Sequence, residues 1–251
     1  MSGEPGPVRR HQLFTELPTG RCLTVVDDPV EVAPRGTVVV AHDLTGDRSG
    51  PGGLLAFLAA ALCDGCQVRV VRFDTRGSGD SSGAFQDVSF ADMTEDFLAV
   101  VRAHALADRP LVCAGFGIGG VLATLAVNEL VSAGDPRPRA VLLVSSRLAE
   151  GVRFDVGPVE PMRGGEFHLP EAFFRERESL RPRSALLASG LPFLLVYGAK
   201  DVELAACAPW FAQRGTTVAI ESGRGFETSD ARADLVRACA TYVTKLLERR
   251  S

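Results

Sequence analysis

No apolar run in the chain approaches the roughly 18 residues that a membrane-spanning helix needs, and Met1 to Pro7 lacks the apolar stretch of a signal peptide. A cytoplasmic protein without a membrane partner is expected. Basic residues are not gathered into a patch. Lys and Arg number 27 against 31 acidic residues, and the net charge of −4 argues against nucleic acid as a partner. Arg175 to Arg183 is mixed in sign and reads as a solvated helix face. The six cysteines are scattered; Cys63 and Cys66 have the spacing of a metal or redox half-site, but no second pair and no nearby histidine complete it. Neither a metal nor a cofactor is expected. Histidine is scarce, at His11, His42, His104 and His168, and there are no internal repeats and no low-complexity tail.

What is present is ordinary for a globular protein: 46% apolar and 23% charged over 251 residues, enough for one well-buried core. Short apolar runs predict strands near 21–26, 37–41, 67–73, 110–114, 140–145, 192–197 and 216–220. Helices are predicted near 52–63, 91–106, 119–132, 202–213 and 230–248. The alternation implies an α/β fold, a largely parallel sheet covered by helices on both faces. A single domain over 1–251 is expected, with a cap inserted at about 148–185 where the alternation breaks. Phe154, Met162, Phe167, Phe173 and Phe174 are available there to roof a pocket, although such aromatics usually pack internally.

Four segments carry more specific information. Gly115-Phe116-Gly117-Ile118-Gly119-Gly120 falls between an apolar strand and an apolar helix, the context of a G-x-S-x-G nucleophile elbow, but with glycine at the serine position. Ahead of it, Thr37 to Gly46 ends a strand in His42-Asp43-Leu44-Thr45-Gly46, similar to an H-G-x-x-G loop. Arg72-Phe73-Asp74-Thr75-Arg76-Gly77-Ser78-Gly79-Asp80-Ser81 resembles an R-x-D-x-R-G-x-G-x-S stretch, and Leu194 to Asp201 resembles the strand that ends in a triad acid. In this order the four segments resemble the α/β-hydrolase superfamily over most of residues 20–246. The resemblance implies the α/β-hydrolase fold with a small cap, oxyanion-hole donors at the backbone N–H groups of Leu44 and Ile118, and Asp201 at the acid position.

The chain departs from that pattern twice. Gly117 stands where the nucleophile would be, and Glu221 to Glu227, after the last strand, contains no histidine. Without nucleophile and base, only about 10³–10⁴-fold acceleration over water remains for hydrolysis. His42 reads as a loop brace and His104 as solvent-facing. Asp43 replaces the glycine after the loop histidine, so its carboxylate either serves as a base near the hole or caps the following turn. An intact frame that has lost its serine and histidine resembles the atypical α/β-hydrolase-fold peptide epimerases of bottromycin biosynthesis. That resemblance implies inversion of an aspartate α-carbon beside a thiazoline in a ribosomally made peptide, with the substrate's own carboxylate available as base. Asp43 is then the candidate protein base and Glu227 the second. His42, Leu44, Phe116, Gly117, Ile118, Arg147, Asp201, Val202, Phe226 and Glu227 are candidate substrate contacts, Arg147 for a substrate carboxylate.

Other readings stay open at this point. Gly115-x-Gly117-x-x-Gly120 also satisfies the dinucleotide fingerprint, with Arg147 able to meet a 2′-phosphate, although the fingerprint normally opens the first βαβ unit. A pseudo-hydrolase acting as a ligand-binding or scaffold protein, and a hydrolase with an unorthodox nucleophile, are the alternatives to the epimerase. Each takes a modified peptide or another small molecule as its partner.

Overall fold

A computed structural model describes residues 6–134, 136–151, 159–162 and 167–248. Eight strands form one sheet: β1 (Val8–Leu17), β2 (Gly20–Pro29), β3 (Thr37–Ala41), β4 (Arg69–Phe73), β5 (Leu111–Phe116), β6 (Pro138–Val144), β9 (Phe193–Gly198) and β10 (Thr216–Ile220). Their spatial order is β1-β2-β4-β3-β5-β6-β9-β10, with the β1–β2 and β2–β4 pairs antiparallel and every neighbouring pair from β4 through β10 parallel. The helices are α1 (Leu54–Cys66), α2 (Phe90–His104), α3 (Ile118–Ala133), α4 (Glu171–Ser179), α5 (Pro182–Ser189), α6 (Val202–Ala212) and α7 (Ser229–Glu248). This is the α/β-hydrolase fold.

Successive strand residues face opposite sides, and the central strands are apolar at most positions because both sides are covered. Val39, Cys113, Val141, Leu143 and Leu195 pack into the core beneath α2, α3 and α6. Their neighbours Val38, Val40, Val112, Leu142, Leu194 and Val196 pack into the second core beneath α1 and α7. Caps fix where the helices begin and end. Ser89 Oγ accepts the Asp92 N–H at the start of α2, and Gly134 adopts φ +83° at the end of α3, a left-handed turn that glycine takes without a Cβ penalty.

Three expectations need correction. The strand β1 escapes the apolar pattern because its side chains are mostly exposed, and it is held at the sheet edge by its backbone ladder to β2 and a few polar contacts such as Arg10 with Asp27. His104 does not face solvent: it is half-buried, and its Nε2 lies 2.7 Å from Thr15 Oγ1 of β1. The segment between β6 and β9 contains a hairpin, β7 (Val159–Met162) with β8 (Phe167–Pro170), and the two short helices α4 and α5. On α4, Arg175 is solvated, but Arg177 is only 6% exposed, so this helix is not polar all round. Phe154 and the side chains of Met162 and Phe167 lie outside the described residues.

Candidate functional site

Parallel strands deliver their connecting loops to one edge, and a crevice opens where successive connections run in opposite directions. Here that point lies between β3, which leads to β4 on one side, and β5, which leads to β6 on the other. The loops after β3, β5, β6 and β10 meet there and, with α4, enclose a cavity of about 350 Å³. Leu44, Ile118, Val121, Phe90, Phe173 and Phe174 supply its apolar wall, while Asp43, Arg147, Arg177 and Arg224 supply its charge.

Gly117 sits at the turn from β5 into α3 with φ +58° and ψ −119°. A Cβ added to it would lie 2.3 Å from Asp43 Oδ1 and 2.4 Å from Cγ, so the Asp43 carboxylate fills the space that a side chain at 117 would need. The same carboxylate accepts the Ile118 N–H at 2.8 Å through Oδ1 and the Arg224 Nη2–H at 2.8 Å through Oδ2. An anion at the start of α3 is favoured by the unpaired N–H groups and the helix dipole. Asp43 therefore takes both the donor expected to form half of an oxyanion hole and the helix end that a nucleotide phosphate would use. Its side chain does not cap its own turn; that turn is closed by the Gly46 N–H on the Asp43 carbonyl.

His42 is 2% exposed and braces this arrangement. Its Nδ1–H donates to the Asp43 carbonyl, and its Nε2 accepts the Thr75 N–H at 3.1 Å. Burial holds the imidazole neutral by pushing its pKa down, against hydrogen bonding to Asp43 O and the nearby carboxylates of Asp74, Asp47 and Asp43. The loop after β4 is braced in turn by Asp74, fully buried, which accepts the N–H groups of Arg48 and Asp80, and by the Arg76 fork on Asp96.

Opposite, residues 221–227 bring Arg224 into the site. Ser145 Oγ donates to the Arg224 carbonyl at 2.8 Å, and Glu227 accepts from the Gly225 N–H and from Ser222 Oγ. A hydrogen bond from its own backbone, followed by those from Gly225 and Ser222, holds the Glu227 carboxyl below its usual pKa against its partial burial. Phe226, fully buried at φ +50°, anchors the loop, and Ser145 (φ +47°) and Leu148 (φ +46°) are likewise in the left-handed region. Among the described residues, three of the five non-glycine residues with positive φ thus flank this cavity, where local strain is held by surrounding contacts.

Of the residues expected at the site, the structure brings Asp43, Leu44, Gly117, Ile118 and Arg147 together at the cavity. His42, Phe116, Asp201, Val202, Phe226 and Glu227 do not line it. His42, Phe116 and Phe226 are buried beneath it. Asp201 is the N-cap of α6, accepting the Leu204 N–H at 3.0 Å, and Val202, the first residue of that helix, is 78% exposed. Glu227 spends its oxygens on its own loop. Arg147 pairs with Glu203 across the rim. Arg177 and Arg224 were not foreseen: a lone arginine in an irregular or mixed-charge segment carries no periodic signal, and only the chain's return to the sheet edge makes them neighbours.

A larger groove of about 720 Å³ lies between β10 and α7, with Val218, Tyr242 and Leu246 among its residues. It stands at the sheet margin, away from the four converging loops, and its charges are mixed in sign, so size alone does not make it the site. Cys63 and Cys66 are buried in α1; burial pushes the Cys63 thiol up to about 12. Among the described residues no cluster of three or more His, Cys, Asp or Glu could hold a metal ion, and no helix is long and apolar enough to cross a membrane.

Comparison with solved structures agrees with the architecture. Est1E from Butyrivibrio proteoclasticus, with ferulic acid bound, superposes with a TM-score of 0.78 at 18% identity, covering 94% of this chain and 100% of that one. The thermophilic carboxylesterase EstE1, cloned from a metagenomic library, gives 0.66 at 19% identity, covering 97% and 91%. Mouse alpha/beta hydrolase domain-containing protein 10 gives 0.65 at 13%, covering 94% and 99%. No curated protein matches the sequence. The profile of the alpha/beta hydrolase family matches residues 38–246, which include every loop at the cavity, and the chain belongs to that family.

Proposed function

We propose that this chain is a non-hydrolytic member of its family: a peptide epimerase that inverts an aspartate α-carbon beside a thiazoline, using the substrate's own carboxylate as base. The observation that carries the non-hydrolytic part is the position of Asp43. Acyl transfer needs a nucleophile within hydrogen-bond reach of a base and a free hole for the oxyanion. Gly117 offers no side chain, the Asp43 carboxylate stands in its Cβ space and on the Ile118 N–H, and no histidine lines the cavity among the described residues. The esterases among the similar structures favour hydrolysis by kinship, but at 18–19% identity they share the fold alone.

The epimerase assignment rests on the resemblance set out from the sequence. An α-hydrogen beside a thiazoline is acidified because, as the Cα–H bond breaks, its electron pair moves into the C=N group to give an enamine. Reprotonation of the α-carbon from the opposite face then inverts it. The protein's part is to hold the carboxylate over the carbon in a partly dry, shaped space, a proximity effect. Asp43 is not assigned as the base, because each of its oxygens already accepts a hydrogen bond. That same engagement favours, as second reading, a binding protein without catalysis.

Incubation with a macrocyclic thiazoline peptide in D₂O, followed by mass and diastereomer ratio together, tests the proposal. A gain of one deuteron with inversion, faster than without protein, is expected, and Asp43→Asn should retain it within about tenfold, a loss of less than roughly 1.4 kcal/mol in the barrier. Binding without exchange selects the second reading. Release of acid from p-nitrophenyl butyrate at the rate of an ordinary esterase would sink both.

A further inference from the structure

The cavity carries more positive charge than its own carboxylate balances. Of its four charged residues, Asp43 and Arg224 pair with each other, and Arg147 pairs with Glu203 at the exposed rim. Arg177 has no such partner. It is 6% exposed, its Nη2 donates to the Ala149 carbonyl at 2.7 Å, and its guanidinium carbon lies 5.8 Å from the centre of the Phe90 ring. Its Nη1 is buried without a hydrogen bond, and no carboxylate among the described residues lies within salt-bridge distance. Burial and the neighbouring Arg147 both push its pKa down, against Glu150, as expected of a cation short of compensation.

A buried guanidinium that stays charged needs a counter-ion and partners for its donors; without them it destabilises the fold. Arginine's planar fork matches a carboxylate in geometry and charge. Around it Phe90, Phe173, Phe174 and Leu148 offer an apolar lining with no further donors assigned to a ligand. We propose that Arg177, assisted by Arg147, anchors a carboxylate borne on an apolar or aromatic body inside this cavity. The proposal rests on reading the cavity as the ligand site and names the class of ligand it takes. A carboxylate held by the fork through one oxygen keeps the other free, which suits a substrate whose own carboxylate must also reach an α-carbon.

The test is a matched pair of probes, 4-phenylbutyrate and its uncharged amide 4-phenylbutyramide, titrated calorimetrically into the wild-type protein. The acid should bind at least tenfold more tightly than the amide. Arg177→Met should abolish that preference while leaving the ligand-free melting temperature unchanged or higher, because it removes an uncompensated buried charge. Arg147→Met should weaken the acid by a smaller factor. Equal binding of acid and amide, with both blocked by Ile118→Trp, would overturn the carboxylate anchor and leave the cavity as the ligand site. Binding of neither probe would overturn both. A marked drop in melting temperature for Arg177→Met, with the acid preference kept in that uncharged variant, would make Arg177 a structural prop and also overturn the proposal.

Discussion

Gly117 and Asp43 are a matched pair in space although 74 positions apart in the chain. A residue with a Cβ at 117 must accept φ +58° and displace a carboxylate 2.3 Å away. Gly117→Ser should therefore lose about 1–3 kcal/mol in urea unfolding, the usual range for a residue held in a disfavoured backbone region. Asp43→Gly in the same chain removes the collision but not the backbone strain, so the double variant should recover part of the loss, with a coupling above about 0.5 kcal/mol. Strict additivity would mean that Asp43 does not stand over Gly117. Neither variant should hydrolyse p-nitrophenyl butyrate, because restoring a hydroxyl at 117 supplies no base.

The start of α6 shows how an element claims a residue that a motif would assign to chemistry. Asp201 follows β9 where a triad acid is expected, yet its Oδ1 accepts the Leu204 N–H, one of the donors that a helix leaves unpaired in its first turn. Asp201→Ala should lower stability by about 1 kcal/mol, the usual loss of an N-cap. In a chain of this size that is a melting shift of about 2–4 °C. Binding of 4-phenylbutyrate should be unchanged, and a large loss of binding with an unchanged melting temperature would return Asp201 to the site. The same element-level logic explains β1: its exposed side chains carry no apolar pattern, and it is held by the ladder to β2 and the contact of Thr15 with His104 on α2.

Across the whole molecule, acid sensitivity comes from groups in separate layers. Burial lowers the pKa of His42 at the site, and burial with Arg69 lowers that of His104 on α2. Below about pH 6.5 the unfolded chain takes up protons at these two positions that the folded protein refuses. Stability thus falls as pH drops through that value, and this contribution stops growing once the depressed folded values are passed. Glu227 has a depressed folded pKa as a carboxylate, so its contribution is present above its ordinary 4.5 and is lost as pH falls through the folded value. Melting temperature should be flat from pH 8 to 7 and then decline toward pH 5. His104→Gln, which can still bond Thr15, should flatten that decline; an unchanged slope would show that neither folding nor packing depends on a neutral ring at 104.

The periodicity of the chain already contained the sheet core. The strand at 37–41 falls where the apolar run predicts, because a strand buried on both faces is apolar along nearly its whole length, and a turn motif such as Gly115 to Gly120 is fixed by its neighbours in sequence. The identity of residue 117 as glycine, and the replacement of a glycine by Asp43, were likewise legible. What these residues do to one another was not. The carboxylate of Asp43 on the Ile118 N–H, Arg224 closing over it from 181 positions away, and Arg177 turned from a mixed-charge helix into an apolar roof all depend on loops meeting at one edge of the sheet. Local sequence sets backbone preference and burial; which charges lose their water together, and which of them finds a partner, is decided only when the tertiary structure brings the loops into one cavity.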